Sequence, residues 1–525
     1  MAWLLPGLVA HDPWKPDEAY NFGVVYEMIR GGSWIAPQLA GEPFMREPPL
    51  YYLSAAASAW LFSPVLPLHD GARLITGFYV ALALLFCGLA GRELNGPGFG
   101  ALTIALLIGS FGLVVRSHQI VPQVASLAGY ALAYYGCACA LRGRWGGLWL
   151  GTGLGMVFLS QGIPEALVIV LLAAALPLVS RAWRTCEYAF ALCIAIAAAL
   201  PWITLWPLLL HTSSPELFYN WLRADTWGRF QGQGHTGLYY LRILPWYTWP
   251  LWPLALWALW RAFGSGPVKV AITLPLTGAL LTLLTLSEAA DKRELYALPL
   301  LLPLALLAAP GVHTLQRGAT NAWYWFSIMG FTFFILVGWV YWSGLELGVP
   351  PRLHAHLHRI QPGYTPGFKW LPFVLALLYT VAWFAVLARF KRHAHRPAFV
   401  WATGVTVSWA LAATLFIGWV DTGKSYRGMI ASMATALPAS YRCVTGRNLG
   451  DPQRAMLHYF ADIVTYRDEA TEHRRDCDLM LVQGTPLDEA SPGGNWIKVW
   501  EGNRPGDKLE RYRLYRRIAR TASAN

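Results

Sequence analysis

The chain has 525 residues, of which 55% are hydrophobic, 13% are charged and 27 are tryptophan. That composition excludes a soluble globular protein and defines a polytopic membrane protein. The formal charge of +12 is therefore no sign of nucleic acid: much of the excess falls in short loops between apolar spans, where Lys and Arg set topology.

In chain order, Met1 to Ala10 is apolar but short; as helix it rises only about 15 Å, half the hydrocarbon thickness. It lacks the basic start of a signal peptide and is read as the remnant of a first transmembrane helix, the alternative being a stub. The stretch His11 to Leu50 then crowds Asp12, Lys15, Asp17, Glu18, Glu27, Arg30, Glu42, Arg46 and Glu47 between segments fit only for lipid. Charge so placed sits outside the hydrocarbon and usually has a task. Ala19, Phe22, Val25, Tyr26 and Ile29 fall at helical spacing, which predicts an amphipathic helix over 17–29 lying along the membrane surface and stopped by Gly31-Gly32. From Pro37 to Pro49 the prolines and Gly41 favour extended, turning chain.

Apolar runs broken at charge or Gly/Pro clusters predict about thirteen helices: near 51–62, 72–91, 99–115, 123–141, 145–160, 163–180, 187–210, 245–260, 268–286, 296–310, 323–342, 369–388 and 398–420. Arg142/Arg144, Arg181/Arg184, Arg261/Lys269, Arg317 and Arg389/Lys391/Arg392/Arg396 fall on alternate loops, which the positive-inside rule makes cytoplasmic. The opening stretch, 211–244, 287–295, 343–368 and everything after Val420 then face outward together. Cys87, Cys137, Cys139, Cys186 and Cys193 lie in or beside the spans without metal-site spacing, and read as small apolar residues.

From residue 424 the composition shifts to a charged segment of about a hundred residues. SYRCVTG, PQRAMLHYFADI, CDLMLVQG, NWIKVWEG and RYRLYRR read as strand, helix and three further strands. This is a small α/β domain over 424–525, following a transmembrane domain over 1–423. GRNLGD lacks GxGxxG spacing and reads as an ordinary βα turn. Cys443 and Cys477 each open a predicted strand; parallel neighbours joined by one helix would set those starts side by side, near disulfide distance, on the oxidising outer side. Two free cysteines facing different layers is the competing reading.

PDEAY, then a helix ending in GG-S-W, then AP-x-L-x-GEPF, then PPLYY, resembles the first periplasmic loop of the lipid-linked-sugar glycosyltransferases of the GT-C superfamily. The aminoarabinose lipid A transferase and protein O-mannosyltransferase branch is the nearest in pattern, and the resemblance runs over about residues 12 to 300. It implies an all-α polytopic GT-C membrane protein with a small C-terminal extracytoplasmic α/β domain, in a bacterial inner membrane with its active face periplasmic. The implied reaction is inverting transfer of a hexosyl or pentosyl group from a polyprenyl-phosphate donor to a lipid, glycan or protein acceptor.

The resemblance also assigns residues. Aligning DEA puts the family's catalytic carboxylate on Asp17, with Glu18 beside it; read alone, the pair is an acidic helix start favoured by the dipole. In FYNWLRADTWGRFQGQGHTGLYYLRILPW, Asp225, Arg229 and His235 are candidates for a wall facing the opening loop. A family histidine here joins an acidic residue of that loop on a divalent metal, which implies Glu47 and His235 as a weak metal site. Neither spacing nor ligand count supports that site independently, and a solvated loop histidine is the plain reading. SEAADKRELYALP, similar to the family's pattern before an outer Leu-Pro, brings Lys292, Arg293 and Tyr296 to the outer mouth. Cations there hold a lipid phosphate or simply snorkel. His354, His356 and His358 read as an interfacial segment rather than as a metal-binding strand.

This chain departs from the family in three ways. Tyr20-Asn21 replaces Arg-Tyr after DEA. Arg46-Glu47 stands before the double proline where the family has Glu-Lys, so Arg46 is the candidate replacement for the phosphate-binding lysine, provided the loop twists ahead of Pro48. Gln123 and Gln161 occupy the places of an Asp and a Lys. A noncatalytic paralogue that only binds the lipid carrier is the alternative these departures raise. A transporter is disfavoured because few charges lie at mid-span.

Overall fold

The computed structural model describes residues 1–226, 228–230, 238–264, 269–390, 393–468, 476–489 and 491–518. Each predicted apolar segment contains a helix, and among the described residues seven helices are long and apolar enough to cross a membrane. Four predicted spans differ in detail. The helix expected over 99–115 ends at Ile108 and restarts at Phe111, with Trp401 Nε1 donating to the freed Gly109 carbonyl at 2.8 Å. In place of 245–260 stand Tyr239–Tyr247 and Leu251–Phe263, parted at Pro250, which has no N–H to continue a helix. The span expected from 296 opens as a 3₁₀ turn over Glu294–Leu300 before Leu301–His313, and 398–420 divides at Phe416.

Met1 to Ala10 forms turns instead of a helix, because Pro6 and Gly7, the latter at φ +89°, break it. Its Trp3, Leu4 and Leu8 are nevertheless buried, and Trp409 Nε1 donates to the Pro6 carbonyl at 2.9 Å. Small residues let the long helices approach closely. A Cβ added to Gly147 or Gly151 would meet the carbonyl oxygen of Ala191 or Ala195 at 1.9 or 2.1 Å, the contact by which helices associate in lipid. At one end of the bundle Arg142 pairs with Glu93 at 2.9 Å; the opening loop, the 3₁₀ turn after Ser287 and the C-terminal domain gather at the other.

Helix Asp17–Ile29 has its predicted bounds but not its predicted surface: every residue from Asp17 to Met28 is buried. It is clamped between helices Leu50–Phe62 and Leu68–Asn95 on one side and Asp451–Ala461 of the C-terminal domain on the other. Gly23 makes the second contact possible, since a Cβ there would stand 2.4 Å from Ala455 Cβ. Phe22 packs edge-on to Tyr459, and Glu27 accepts the Gly41 N–H at 2.8 Å while facing His458 Nδ1 at 3.2 Å. The polar stripe seen in the sequence is thus turned to protein partners, not to water. His354, His356 and His358 lie on helix Pro351–Ile360, not on a strand.

Where the opening loop meets the chain leaving the last span, Asp421 accepts the Asp12 N–H at 3.0 Å and the Trp14 indole N–H at 2.8 Å. Burial, and next the neighbouring Asp12 carboxylate, push the Asp421 carboxyl up to about 6. Its folded value lies above the unfolded one, so its contribution to stability is complete below about 4 and is lost as pH rises through about 6. Asp421→Asn keeps the acceptor without the charge. The variant should therefore melt a few degrees above wild type at pH 8, with the gap closing by pH 4; equal gaps at both pH values would refute the assignment.

The C-terminal domain holds a five-stranded sheet in the order Thr465–Arg467, Val444–Arg447, Leu479–Gly484, Arg511–Arg517, Trp496–Gly502. The first three strands pair in parallel, and Arg511–Arg517 pairs antiparallel with both Leu479–Gly484 and Trp496–Gly502. Thr465–Arg467 is too short to show in the sequence pattern, and it makes the connection between the two central strands a helix plus an edge strand instead of one helix. Those central strands are parallel neighbours, and Cys443 and Cys477 at their starts form a disulfide across 34 residues of sequence. On the chain-entropy account, Cys443→Ser costs this domain roughly 3–4 kcal/mol. Thiol labelling of the full chain should find this pair unreactive until reductant is added, and the variant should unfold at a lower denaturant concentration.

Candidate active site

A cavity of about 410 Å³ opens at the loop end of the bundle, walled by Arg46, Glu47, Glu165, Asp225, Arg229, Asp291 and Tyr296 over an apolar floor that includes Tyr130, Val168 and Leu286. Each polar residue is aimed by its own element. Pro48-Pro49 fixes how Leu50–Phe62 begins and so fixes Arg46 and Glu47 just before it. Asp225, at the end of helix Pro215–Thr226, accepts the Ile163 N–H at 2.7 Å and thereby caps helix Ile163–Val179. Gly162, at φ +90°, leaves room for this, since a Cβ there would sit 2.2 Å from the carboxylate. Arg229 spans Asp225 at 2.8 Å and Glu165 at 2.9 Å, and donates to the Gln161 carbonyl at 2.6 Å.

Burial lifts the Asp225 carboxyl above its ordinary value, against the pull of Arg229. Burial does the same to Glu47, against the pull of Arg46 and Arg229. Glu47 is 3% exposed and takes the Tyr52 hydroxyl at 3.1 Å, while Arg46 lies beside it and over the Tyr20 ring. The loop does turn, since Arg46 and Glu47 both reach the cavity wall.

Asp17 lies just outside this wall, at the first turn of its helix. Its Oδ1 accepts from Arg293 Nη1 at 3.0 Å and from the Tyr20 hydroxyl at 3.4 Å, and its Oδ2 from Arg116 Nη1 at 3.4 Å. Arg293 also faces Asp291 at 3.3 Å, and Asp291 faces Arg46 at 3.3 Å. An unbroken chain of alternating charge therefore runs from Asp17 to the cavity. Glu18 points elsewhere: it is 1% exposed and binds Arg73 Nε at 2.6 Å, the Ile120 N–H at 3.2 Å and the Trp14 N–H at 3.0 Å. It touches no part of the cavity and instead anchors the helix start that carries Asp17.

The structure brings Arg46, Glu47, Asp225, Arg229 and Tyr296 to one cavity and links Asp17 to it through Arg293. Lys292 does not line the cavity, and His235 lies outside the described residues. Among the described residues no three His, Cys, Asp or Glu side chains converge as metal ligands, and Glu47 is committed to Tyr52 and Arg46. Gln123 and Gln161, both 3% exposed, are hydrogen-bonded to each other at 3.4 Å, an uncharged pair at the inner edge of the site. Sequence reasoning missed Arg116, Glu165 and Asp291. Arg116 and Glu165 had a usable signal, being charges at the ends of otherwise apolar runs; Asp291 looked like an ordinary loop acid.

A helical membrane bundle that carries its polar groups in loops at one end, under a small α/β cap, is the architecture of a GT-C glycosyltransferase. No family profile matches the chain. It is 30% identical over 435 residues to the undecaprenyl phosphate-alpha-4-amino-4-deoxy-L-arabinose arabinosyl transferase of Pseudomonas paraeruginosa, a match covering 79% of this chain and 73% of that one. The enzyme of the same name from Pseudomonas aeruginosa is 29% identical over 434 residues with the same coverage. The crystal structure of ArnT from Cupriavidus metallidurans bound to undecaprenyl phosphate superposes with a TM-score of 0.72 at 16% identity, covering 100% of this chain and 97% of that one. The chain belongs to the undecaprenyl phosphate-aminoarabinose arabinosyl transferase family and is a membrane glycosyltransferase.

Proposed function

We propose that this protein transfers a sugar of the 4-amino-4-deoxy-L-arabinose class from undecaprenyl phosphate to a hydroxyl or phosphate oxygen of a lipid acceptor, at the periplasmic face of a bacterial inner membrane. The acceptor oxygen attacks the anomeric carbon, the bond from that carbon to the donor phosphate oxygen breaks with its electrons passing to the phosphate, and the proton of a hydroxyl or protonated phosphate acceptor passes to the Asp17 carboxylate. Guanidinium groups stabilise the charge left on the departing phosphate; Arg46, Arg229 and Arg293 are the ones at hand. The observation that carries this reading is the continuous charge chain, in which Arg293 touches Asp17 at 3.0 Å while facing Asp291 on the cavity wall. A carboxylate to take the acceptor proton and cations to hold the departing phosphate, gathered at one cavity mouth, are the parts displacement requires.

The family's relatives support the donor, since their names specify undecaprenyl phosphate-linked aminoarabinose. The neutral Gln123–Gln161 pair supports a second reading, a carrier-binding protein that does not transfer. Purified protein reconstituted with radiolabelled undecaprenyl phosphate-aminoarabinose and bacterial lipid extract separates the two. Label moving to an acceptor lipid is the expected result. Saturable binding of the carrier with no transfer would establish the second reading and remove the first.

A further inference from the structure

Three donors converge on one oxygen of Asp291: Arg46 Nη2 at 3.3 Å, Arg293 Nε at 3.3 Å and the Tyr296 hydroxyl at 3.4 Å. Two guanidiniums and a phenol aimed at a single point form an anion site, and this one faces the cavity. Its present occupant fits it loosely. The Asp291 side chain is 57% exposed, so water competes for it and each of its pairs contributes little. The backbone beside it is held independently, by the Ala290 N–H donating to the Arg229 carbonyl at 2.9 Å. The carboxylate is therefore free to swing away without the loop letting go.

We infer that Asp291 is an internal competitor for the donor phosphate, filling the site of Arg46, Arg293 and Tyr296 until a polyprenyl phosphate displaces it. This rests on the reading of the chain as a polyprenyl-phosphate enzyme and adds the regulation of that site. The donor's phosphodiester matches the carboxylate's one charge and two free oxygens and adds the binding of its sugar and lipid, and the monoester left after transfer brings up to two charges, so either can take the site from Asp291. Displacement also changes Asp17. While Asp291 occupies the site, Arg293 divides its guanidinium between two carboxylates, Asp17 and Asp291. With phosphate in place, Arg293 is drawn to the leaving group. A carrier that does not enter the site leaves Asp291 in position and Arg293 still shared with Asp17.

The alternative is that Asp291 merely positions the two arginines, and the two roles predict opposite signs. The test is titration of the purified full chain with undecaprenyl phosphate, for wild type, Asp291→Asn, Asp291→Glu, and Asp291→Asn combined with Arg46→Gln. Asp291 lies on an exposed loop, so these changes should leave folding intact. The inference expects Asp291→Asn to bind about five- to tenfold tighter than wild type, the order of one or two weak ion pairs. Asp291→Glu should stay near wild type, and Arg46→Gln should erase the gain. Unchanged or weaker binding in Asp291→Asn would overturn the competitor role while leaving the carrier reading intact. Absence of binding in every form would overturn the carrier reading, and the competitor role with it.

Discussion

Asp17→Asn should reduce sugar transfer by about 10²- to 10⁴-fold, the usual worth of a general base, while undecaprenyl phosphate still binds within a few-fold of wild type. The asparagine amide is nearly isosteric, and its oxygen can accept from Arg293, Arg116 or Tyr20 as the carboxylate does, but it cannot take a proton. The loss should therefore appear in turnover rather than in affinity. A fall in both together would mean that Asp17 holds Arg293 in place for the phosphate instead of acting on the acceptor. Turnover at the wild-type level would remove Asp17 from the reaction. The measurement pairs transfer from the radiolabelled donor with a carrier titration on the same preparation. A melting midpoint close to wild type should accompany it, because Arg293 keeps Asp291 as a partner.

The fold was legible wherever a one-dimensional pattern fixes it. Long apolar runs gave the spans, short hydrophobic runs gave four of the five strands of the C-terminal sheet, and Gly31-Gly32 gave the end of helix Asp17–Ile29. Pattern failed where tertiary contact decides. The amphipathic spacing of that helix is the same whether its polar side meets water or meets Arg73 and His458, so burial on both faces could not be read from it. The break at Gly109 depends on an indole from Trp401, nearly three hundred residues away in the chain. At the site, the family resemblance pointed to Asp17, Arg46, Arg229 and Arg293 but passed over Arg116. What the sequence does not contain is pairing: nothing in SEAADKRELY tells that Asp291, rather than a ligand, would stand between Arg46 and Arg293.

Arg73→Met should cost roughly 3–5 kcal/mol and sharply lower the amount of folded protein, because it breaks a buried ion pair network by removing the guanidinium that Glu18 and Asp70 share. Arg73 is 0% exposed. Its Nε donates to Glu18 and its Nη1 to Asp70, each at 2.6 Å, and its remaining contacts include the carbonyls of Leu8 and His11 at 3.3 and 3.1 Å. Methionine fills much of the same volume, so little packing is lost; what remains is two buried carboxylates that keep backbone N–H donors, Ile120 and Trp14 for Glu18 and Ala10 for Asp70, but have lost the guanidinium between them. Glu18→Gln is a gentler cut, roughly 1–3 kcal/mol, since an amide oxygen still accepts from Arg73 and the Ile120 N–H. The cause can be isolated by adding Glu18→Gln and Asp70→Asn to Arg73→Met. If stranded charge is the origin, the triple variant recovers part of the lost stability although it carries more substitutions; if lost contacts are the origin, it is worse than the single change. Denaturant unfolding in detergent, followed by tryptophan fluorescence, distinguishes the two. The triple variant also bears on catalysis. Glu18 ties the first turn of helix Asp17–Ile29 to Arg73, so a refolded protein without that tie should bind undecaprenyl phosphate but transfer sugar more slowly, with Asp17 present and no longer held toward Arg293.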